Sequence, residues 1–409
     1  MKHYSLSIIF LCSIFISSAQ IQELPFSVIS IEQQAEQQFI VRESFGGGLV
    51  VVLNDKYGFL DENKNVVIPI KYDRIEPFHE DYAVVGLNGK YGYINRLGKE
   101  VIPFQYRYAD SFQEGRARVW INDSIGFIDK KGEIIVPIQY HRASPFENGF
   151  AIIWEGSKCG FVNKKGKQIT PIKYDYAFDF SDGLAAVKLN DKWGFINTKG
   201  KEVIAIKYDW GISSFREERA TVNNSRLLID TKGREIPTAQ YDGIGAFYEG
   251  LSFVSKGTEF GFIDKEGKEV IPLHLQYSNR HYRPVFDKNT NDTIPIDYQI
   301  ITRGTRFQEG LAPVEHNRKW GFIDKEGKVI IPFQYEWAGV FQEGLADVQH
   351  NGKWGFIDKQ GNIVIPCQYD VAFSSFENGY AEVWLNSKYY LIDKQGNIVV
   401  EIERDEISD

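Results

Sequence analysis

The chain has 409 residues, with 47 Lys and Arg against 55 Asp and Glu and a formal net charge of −8. An acidic chain with interspersed charges speaks against nucleic acid or anionic lipid as partners, and 43% hydrophobic residues, 14% aromatic overall, exclude a disordered chain. Three cysteines in this length exclude a fold built on disulfides.

Residues 1–19 read as a signal peptide. Lys2 supplies the positive start, Ser7 to Ile16 is apolar, and Ser17-Ser18-Ala19 places small residues before Gln20. The apolar run is shorter than the ~20 residues that span a bilayer, so no membrane insertion is expected. Leu11 stands before Cys12 where a lipoprotein signal wants a small residue. The mature chain is expected to be exported, to the periplasm, the cell surface or the medium. Residues 20–44 read as an N-terminal cap segment, with Ile31 to Phe39 as a short helix, because the end of a repeat array must hide an apolar face.

From residue 45 one pattern recurs. A Gly following an aromatic or its substitute falls at Gly58, Gly92, Gly126, Gly160 and Gly194, then at Gly261, Gly321 and Gly355, with Leu227 and Tyr390 in the same place in two further units. The steps are 34 residues with three departures, of 33, 60 and 35. A Phe opens each of ten units, from Phe45 to Phe376, and Pro and Tyr columns follow in phase. Self-similarity at such a period is the mark of a repeat architecture. The consensus F-x-E-G-L-A-x-V-x-x-N-x-K-W-G-F-I-D-K-x-G-K-x-V-I-P-x-x-Y-D resembles the bacterial WG repeat family. The strict pair survives at Trp193-Gly194, Trp320-Gly321 and Trp354-Gly355. The resemblance covers roughly 45–400 and implies a β-rich repeat scaffold without shared catalytic residues.

Within one unit, Leu345 to Gln349 alternates apolar and polar as a half-buried strand does, and Asn351-Gly352 fits a tight hairpin turn. Lys353 to Asp358 is a second strand. Asp358 to Gly361 is a turn in which Asp bonds the backbone two residues on. Asn362 to Ile365 is a third strand, ended by Pro366. The expected fold is all-β: a tandem array of three-stranded antiparallel meanders with period 34, as an open superhelical β-solenoid, with a closed propeller-like ring as the alternative. The domain plan is 45–272 for repeats 1–7, 273–306 as an insertion, and 307–409 for repeats 8–10 and a tail. The Gly after the aromatic is expected to make room for a neighbouring aromatic, and the motif Trp is expected in the core.

Chemistry-bearing patterns are sparse. The turn column Asp61, Asp129, Asp230, Asp264, Asp324, Asp358 and Asp393 alternates with Asn and reads as turn chemistry rather than a calcium site. No zinc spacing, nucleophile elbow or phosphate loop occurs, so no catalytic, cofactor or metal residues are assigned and no enzyme is expected. Cys159 and Cys367 read as small buried residues, and His316 and His350, in one column, as solvated strand positions. Aromatics in otherwise polar columns stand out. One column holds Trp120, Trp154 and Trp384; a second holds Tyr108, Tyr176, Trp210 and Trp337. Such residues either stack on sugar rings or anchor a peptide, or they cover seams between units. The insertion adds a basic-aromatic group, Arg280, Tyr282 and Arg283, with Arg303 and Arg306 near its end. The expected function is an exported, non-enzymatic scaffold for protein–protein interaction at the cell envelope, with a carbohydrate-binding module as the alternative.

Overall fold

The computed structural model describes residues 40–45, 48–61, 66–257, 259–276, 306–316 and 318–402. The expected signal peptide, the helix at 31–39, and Arg280, Tyr282, Arg283 and Arg303 lie outside the described residues. The described chain is all-β: small, separate antiparallel sheets of three or four strands follow one another in sequence, and none closes into a barrel. Its described residues divide into two compact units, one holding those of 40–146 with 164–166 and 401–402, the other those of 147–163 with 167–400. Among the described residues no helix is long and apolar enough to cross a membrane.

The sheet of residues 337–369 shows how the repeat builds a unit. Ala346–His350 pairs with Lys353–Ile357 across the Asn351-Gly352 turn, where both residues have positive φ, 52° and 74°. The second strand pairs in turn with Ile363–Tyr369. To these three strands the structure adds a two-residue edge strand, Trp337–Ala338, paired with the first. Two residues are too short to carry a period, which is why the sequence pattern shows only three strands. The first sheet has the six-residue strand Ile40–Phe45 in that place, drawn from the segment read as a cap.

The Pro does not end the third strand. Trp354 faces Tyr369 while Phe356 faces Ile365, so three residues, Pro366 among them, oppose the single Gly355. The strand bulges there, and a bulge is where a residue without an N–H fits. This also corrects the expected reason for the Gly. A Cβ on Gly355 would lie 2.5 Å from the Ile365 carbonyl oxygen and 2.7 Å from the Cys367 nitrogen, and one on Gly92 2.6 Å from the Ile102 carbonyl oxygen. The arching third strand, not an aromatic ring, occupies the space.

Consecutive sheets meet through the Phe column. From Phe78 to Phe376 each opening Phe but Phe247 packs on the second-strand aromatic of the sheet before it; Phe247 meets Leu228 there. In the first compact unit the pairs are Phe59 with Phe78, Tyr93 with Phe112 and Phe127 with Phe146, at 5.6, 4.9 and 4.8 Å between ring centroids. In the second they include Phe195 with Phe215, Phe322 with Phe341 and Phe356 with Phe376, at 4.8, 4.8 and 4.9 Å. Most of these rings are fully buried. Tilted and edge-on pairs of this kind add about 0.5–1.5 kcal/mol each beyond the area they bury. A single meander cannot stand alone. Within each compact unit the core is therefore a series of clusters shared by neighbouring sheets, such as Leu345, Phe356, Ile365 and Tyr369 with Phe376, Ala381 and Val383.

Polar clamps flank each seam. The Glu of F-x-E-G accepts from a turn amide one repeat later: Gly115 N–H donates to Glu80 at 2.9 Å, Gly250 N–H to Glu217 at 2.8 Å, and Gly379 N–H to Glu343 at 2.9 Å. A Lys of the later unit joins it, as Lys359 does Glu309 and Lys394 does Glu343, both at 3.0 Å. At the hairpin end, the Asp after the buried Tyr accepts from the motif Lys of the sheet before: Lys56 to Asp73, Lys158 to Asp175, and Lys353 to Asp370 at 2.6 Å. The Lys hydrogen bonds and hairpin amides hold these three carboxyls below the usual range. Exposed pairs of this kind set register more than they add stability.

Candidate functional site

The turn Asp column is satisfied by backbone. Lys131 and Glu133 N–H donate to one Asp129 oxygen at 2.9 and 3.0 Å, and Gln360 and Asn362 do so to Asp358 at 3.0 and 2.8 Å. The residue two on is bonded as expected, and so is the residue four on. Cys159 is buried and Cys367 half-buried, and neither is in a disulfide among the described residues. His316 is exposed, with its ring 5.3 Å from Phe333. His350 departs from the expected solvated position: it is half-buried, and its Nδ1 is enclosed without a hydrogen-bond partner among the described residues.

The two aromatic columns prove to be one row. A residue of the short edge strand faces a residue of the first strand, which faces the motif aromatic. Tyr108 stands opposite Trp120 and Trp120 opposite Ile125; Tyr176 stands opposite Lys188 and Lys188 opposite Trp193; Trp337 stands opposite Gln349 and Gln349 opposite Trp354. The paired positions lie 12 residues apart in sequence with a seam Phe between them, so their adjacency is invisible until the register is known.

Row by row the outcome differs. In the first compact unit Tyr108 packs edge-on against Trp120 at 5.0 Å and against Tyr91 of the preceding sheet at 5.3 Å. The Arg118 guanidinium lies 5.5 Å from the Trp120 ring and is tied to Asp110 at 2.6 Å. Burial raises the Tyr108 hydroxyl pKa, with help from Asp110 and Glu76 and against Arg74. Even so Tyr108 remains 39% exposed. These three aromatics form a fixed, half-open platform.

Elsewhere the row packs on its own sheet or, at Trp337, across a seam. Trp337 leans on Trp320 of the preceding sheet at 4.9 Å. Trp154 is half-buried against a cluster that includes Cys159. Trp384 stacks on Tyr389 at 6.0 Å, with its Nε1 enclosed and unpartnered among the described residues. Tyr176 sits on Phe178 at 5.5 Å and Trp193 at 6.1 Å, yet is 45% exposed. The motif Trp is at this rim rather than uniformly in the core: Trp193 and Trp354 are half-buried, and Trp320 is buried.

Trp210 is different again. It precedes the sheet of residues 219–236, which has no short edge strand, and it is 69% exposed. Here the hairpin residues Asn223, Asn224 and Ser225 all take positive φ, and Leu227 stands in the Gly column. The third strand shrinks to Glu235–Ile236, and Thr238 Oγ1 accepts from Leu228 N–H at 3.3 Å. Thr170 plays the same part in another irregular unit, accepting from Phe161 N–H at 3.0 Å. Both Thr side chains are buried and substitute for lost ladder bonds. Nothing in the pattern of either column announces this role.

The family model for the WG containing repeat matches nine tandem segments between residues 57 and 389, leaving out 279–319. None of the curated proteins is similar to the chain. Solved structures resemble it weakly. A eukaryotic initiation factor aligns at TM-score 0.40 and 9% identity, over 88% of this chain and 96% of its own. PorZ of Porphyromonas gingivalis, a surface component of the type-IX secretion system, aligns at TM-score 0.24 and 11% identity, over 89% of this chain and 52% of its own. The extracellular domain of a B. thetaiotaomicron protein named as a one-component system aligns at 0.28 and 10%, over 90% of this chain and 59% of its own. This chain thus spans little more than half the length of the last two, and at these scores the likenesses carry no functional information.

Proposed function

The chain belongs to the WG-containing-repeat family, and from that premise we propose that it is an exported, non-enzymatic scaffold that binds a protein partner at the cell envelope. The columns shared between units are spent on seams: Phe and Tyr in the core, Gly under the bulge, and Glu, Lys and Asp in the clamps. What varies from unit to unit is the row at the hairpin end. The observation that carries the reading is the Tyr91–Tyr108–Trp120 platform, three aromatics locked by mutual packing yet open at Tyr108. Rigid, half-exposed aromatics lose little side-chain entropy on binding and are the usual anchors of an interface. The signal-like residues 1–19 support export.

A second reading, a carbohydrate-binding module using exposed aromatics, is favoured by Trp210, whose ring is open to solvent at 69%. One experiment separates the two. Mature chain, residues 20–409, is presented to a cell-envelope extract and to a glycan array, alongside Tyr108→Ala with Trp120→Ala and a separate Trp210→Ala variant. The scaffold reading expects one discrete protein, held by the unaltered chain and lost from the double variant while the thermal melt is unchanged. Glycan binding abolished by Trp210→Ala, with no protein captured, overturns it in favour of the second reading. N-terminal sequencing of exported material tests the leader: Gln20 is the expected first residue.

A further inference from the structure

Within the second compact unit, the position between Phe and Glu in F-x-E-G is Arg216, Tyr248 and Gln308 in three successive repeats. The Arg216 guanidinium carbon lies 4.2 Å from the centroid of the Tyr248 ring, and that of Arg306 lies 4.9 Å from the same centroid. Two like charges are gathered on one ring, in a chain that carries a net −8. Cation–π attraction of about 0.5–1 kcal/mol at an exposed ring holds each in place but neutralises neither.

The carboxylates of the same turns are engaged elsewhere. Glu217 accepts from Gly250 N–H at 2.8 Å and meets Lys265 at 3.6 Å. Glu249 accepts from Gly310 N–H and meets Lys325, both at 3.0 Å. Arg306 donates to Gln308 at 2.9 Å, a neutral partner. Among the described residues neither Arg216 nor Arg306 has an ion pair, whereas Arg219 is committed to the Lys265 carbonyl at 2.7 Å and to Glu266 at 3.6 Å. Arg216 also lines a shallow, mostly apolar notch of about 10 Å³, with Arg219, Ala220, Leu228, Gly245 and Phe247 among its other walls. One tyrosine ring thus holds two guanidiniums that no carboxylate among the described residues compensates.

We propose that Arg216, Arg306 and Tyr248 form a recognition site for the carboxylates of an acidic peptide segment on a protein partner. Guanidinium forks pair with carboxylates in a bidentate way. The proposal rests on the scaffold reading only in making the partner a protein; the site itself is tested without that partner. An acidic chain repels polyglutamate in general, so binding requires a local site of this kind.

Fluorescein-labelled hexaglutamate is titrated by anisotropy with residues 20–409 at low salt. The unaltered chain binds it, and affinity falls as salt rises. Arg216→Gln and Arg306→Gln each weaken it by about tenfold or more, Arg216→Lys keeps part of it, and Arg96→Gln, which breaks an exposed pair with Asp81, changes nothing. Thermal melts establish that each variant is folded. Equal binding in Arg216→Gln and Arg306→Gln overturns the proposal, as does absence of binding to the unaltered chain. Displacement by inorganic phosphate at concentrations where glutarate is inert overturns the carboxylate assignment. If hexaglutamate binds as described while the envelope extract yields no protein, the site stands and the scaffold reading falls.

Discussion

Trp337 and Trp210 occupy the same column of the repeat and meet different fates. Trp337 lies in a short edge strand, faces Gln349 and rests on Trp320. Trp210 precedes a sheet that has no such strand and is largely in solvent. The sheet behind Trp337 keeps the bulge Gly and a seven-residue third strand; the sheet after Trp210 has Leu227 in that column and a two-residue third strand. Yet the core ladder passes through both. Phe215 is buried like Phe341, and Tyr241 like Tyr369. The array therefore tolerates loss of the outer strand as long as the Phe and Tyr columns persist, and what loosens is the rim. Trp210 is exposed at that rim, and the Arg216 guanidinium lies in the F-x-E-G turn at the other end of the same first strand.

The largest effect expected is on the ladder, equal in both regions. Phe341→Ala and Phe215→Ala should each cost about 3–5 kcal/mol in denaturant unfolding. A much smaller loss for Phe215→Ala would mean that the irregular sheet is not carried by the same core. Next comes the bulge. Gly355→Ala drives a Cβ into the Ile365 carbonyl and should cost about 1–3 kcal/mol, whereas Leu227→Ala leaves the backbone unstrained and loses only side-chain packing. Equal backbone shifts in crystal structures of the two variants would sink this distinction. The buried hydroxyl of the irregular sheet is third. Thr238→Val strands the Leu228 N–H and should cost about 1–3 kcal/mol; a neutral result would show that the hydroxyl does not replace the missing ladder.

The smallest effect is pH-dependent and belongs to the regular sheet. Asp347 is buried beside Gly339 and accepts from Ser375 Oγ at 3.1 Å. Burial raises its pKa, against a backbone hydrogen bond and Ser375. The folded state thus binds this proton more tightly than the unfolded one. The contribution to stability is full below the unfolded Asp value, about 3.9, and is lost as pH rises through the folded value. Asp347→Asn should raise the melting temperature at pH 7.5 and leave it nearly unchanged at pH 4. A gain that is the same at both pH values would contradict this.

Much of the fold was legible in the amino-acid order, because one strand's alternation, a turn Asp or a Phe every 34 residues is a local signal. The turn column behaves as read, bonding amides two and four residues on. What was not legible depends on register between strands. The purpose of Gly355 lies in three residues of another strand arching over it, and the kinship of Tyr108 with Trp120 lies in a pairing across a seam Phe. The two-residue edge strands are below the length at which any period is visible. Arg306 was singled out as part of a basic group, but its tie to Arg216 through Tyr248 spans 90 residues and two repeats.

The claim that seams build the array while the variable rim binds is tested most directly by hydrogen exchange on the mature chain, alone and with the protein it captures from envelope extract. The account predicts added protection confined to the strands carrying Tyr108 and Trp120 and to the turns around Arg216 and Tyr248, with the Phe-bearing seams unchanged. Protection spread through the seams, or absent from both places while the partner stays bound, would contradict it.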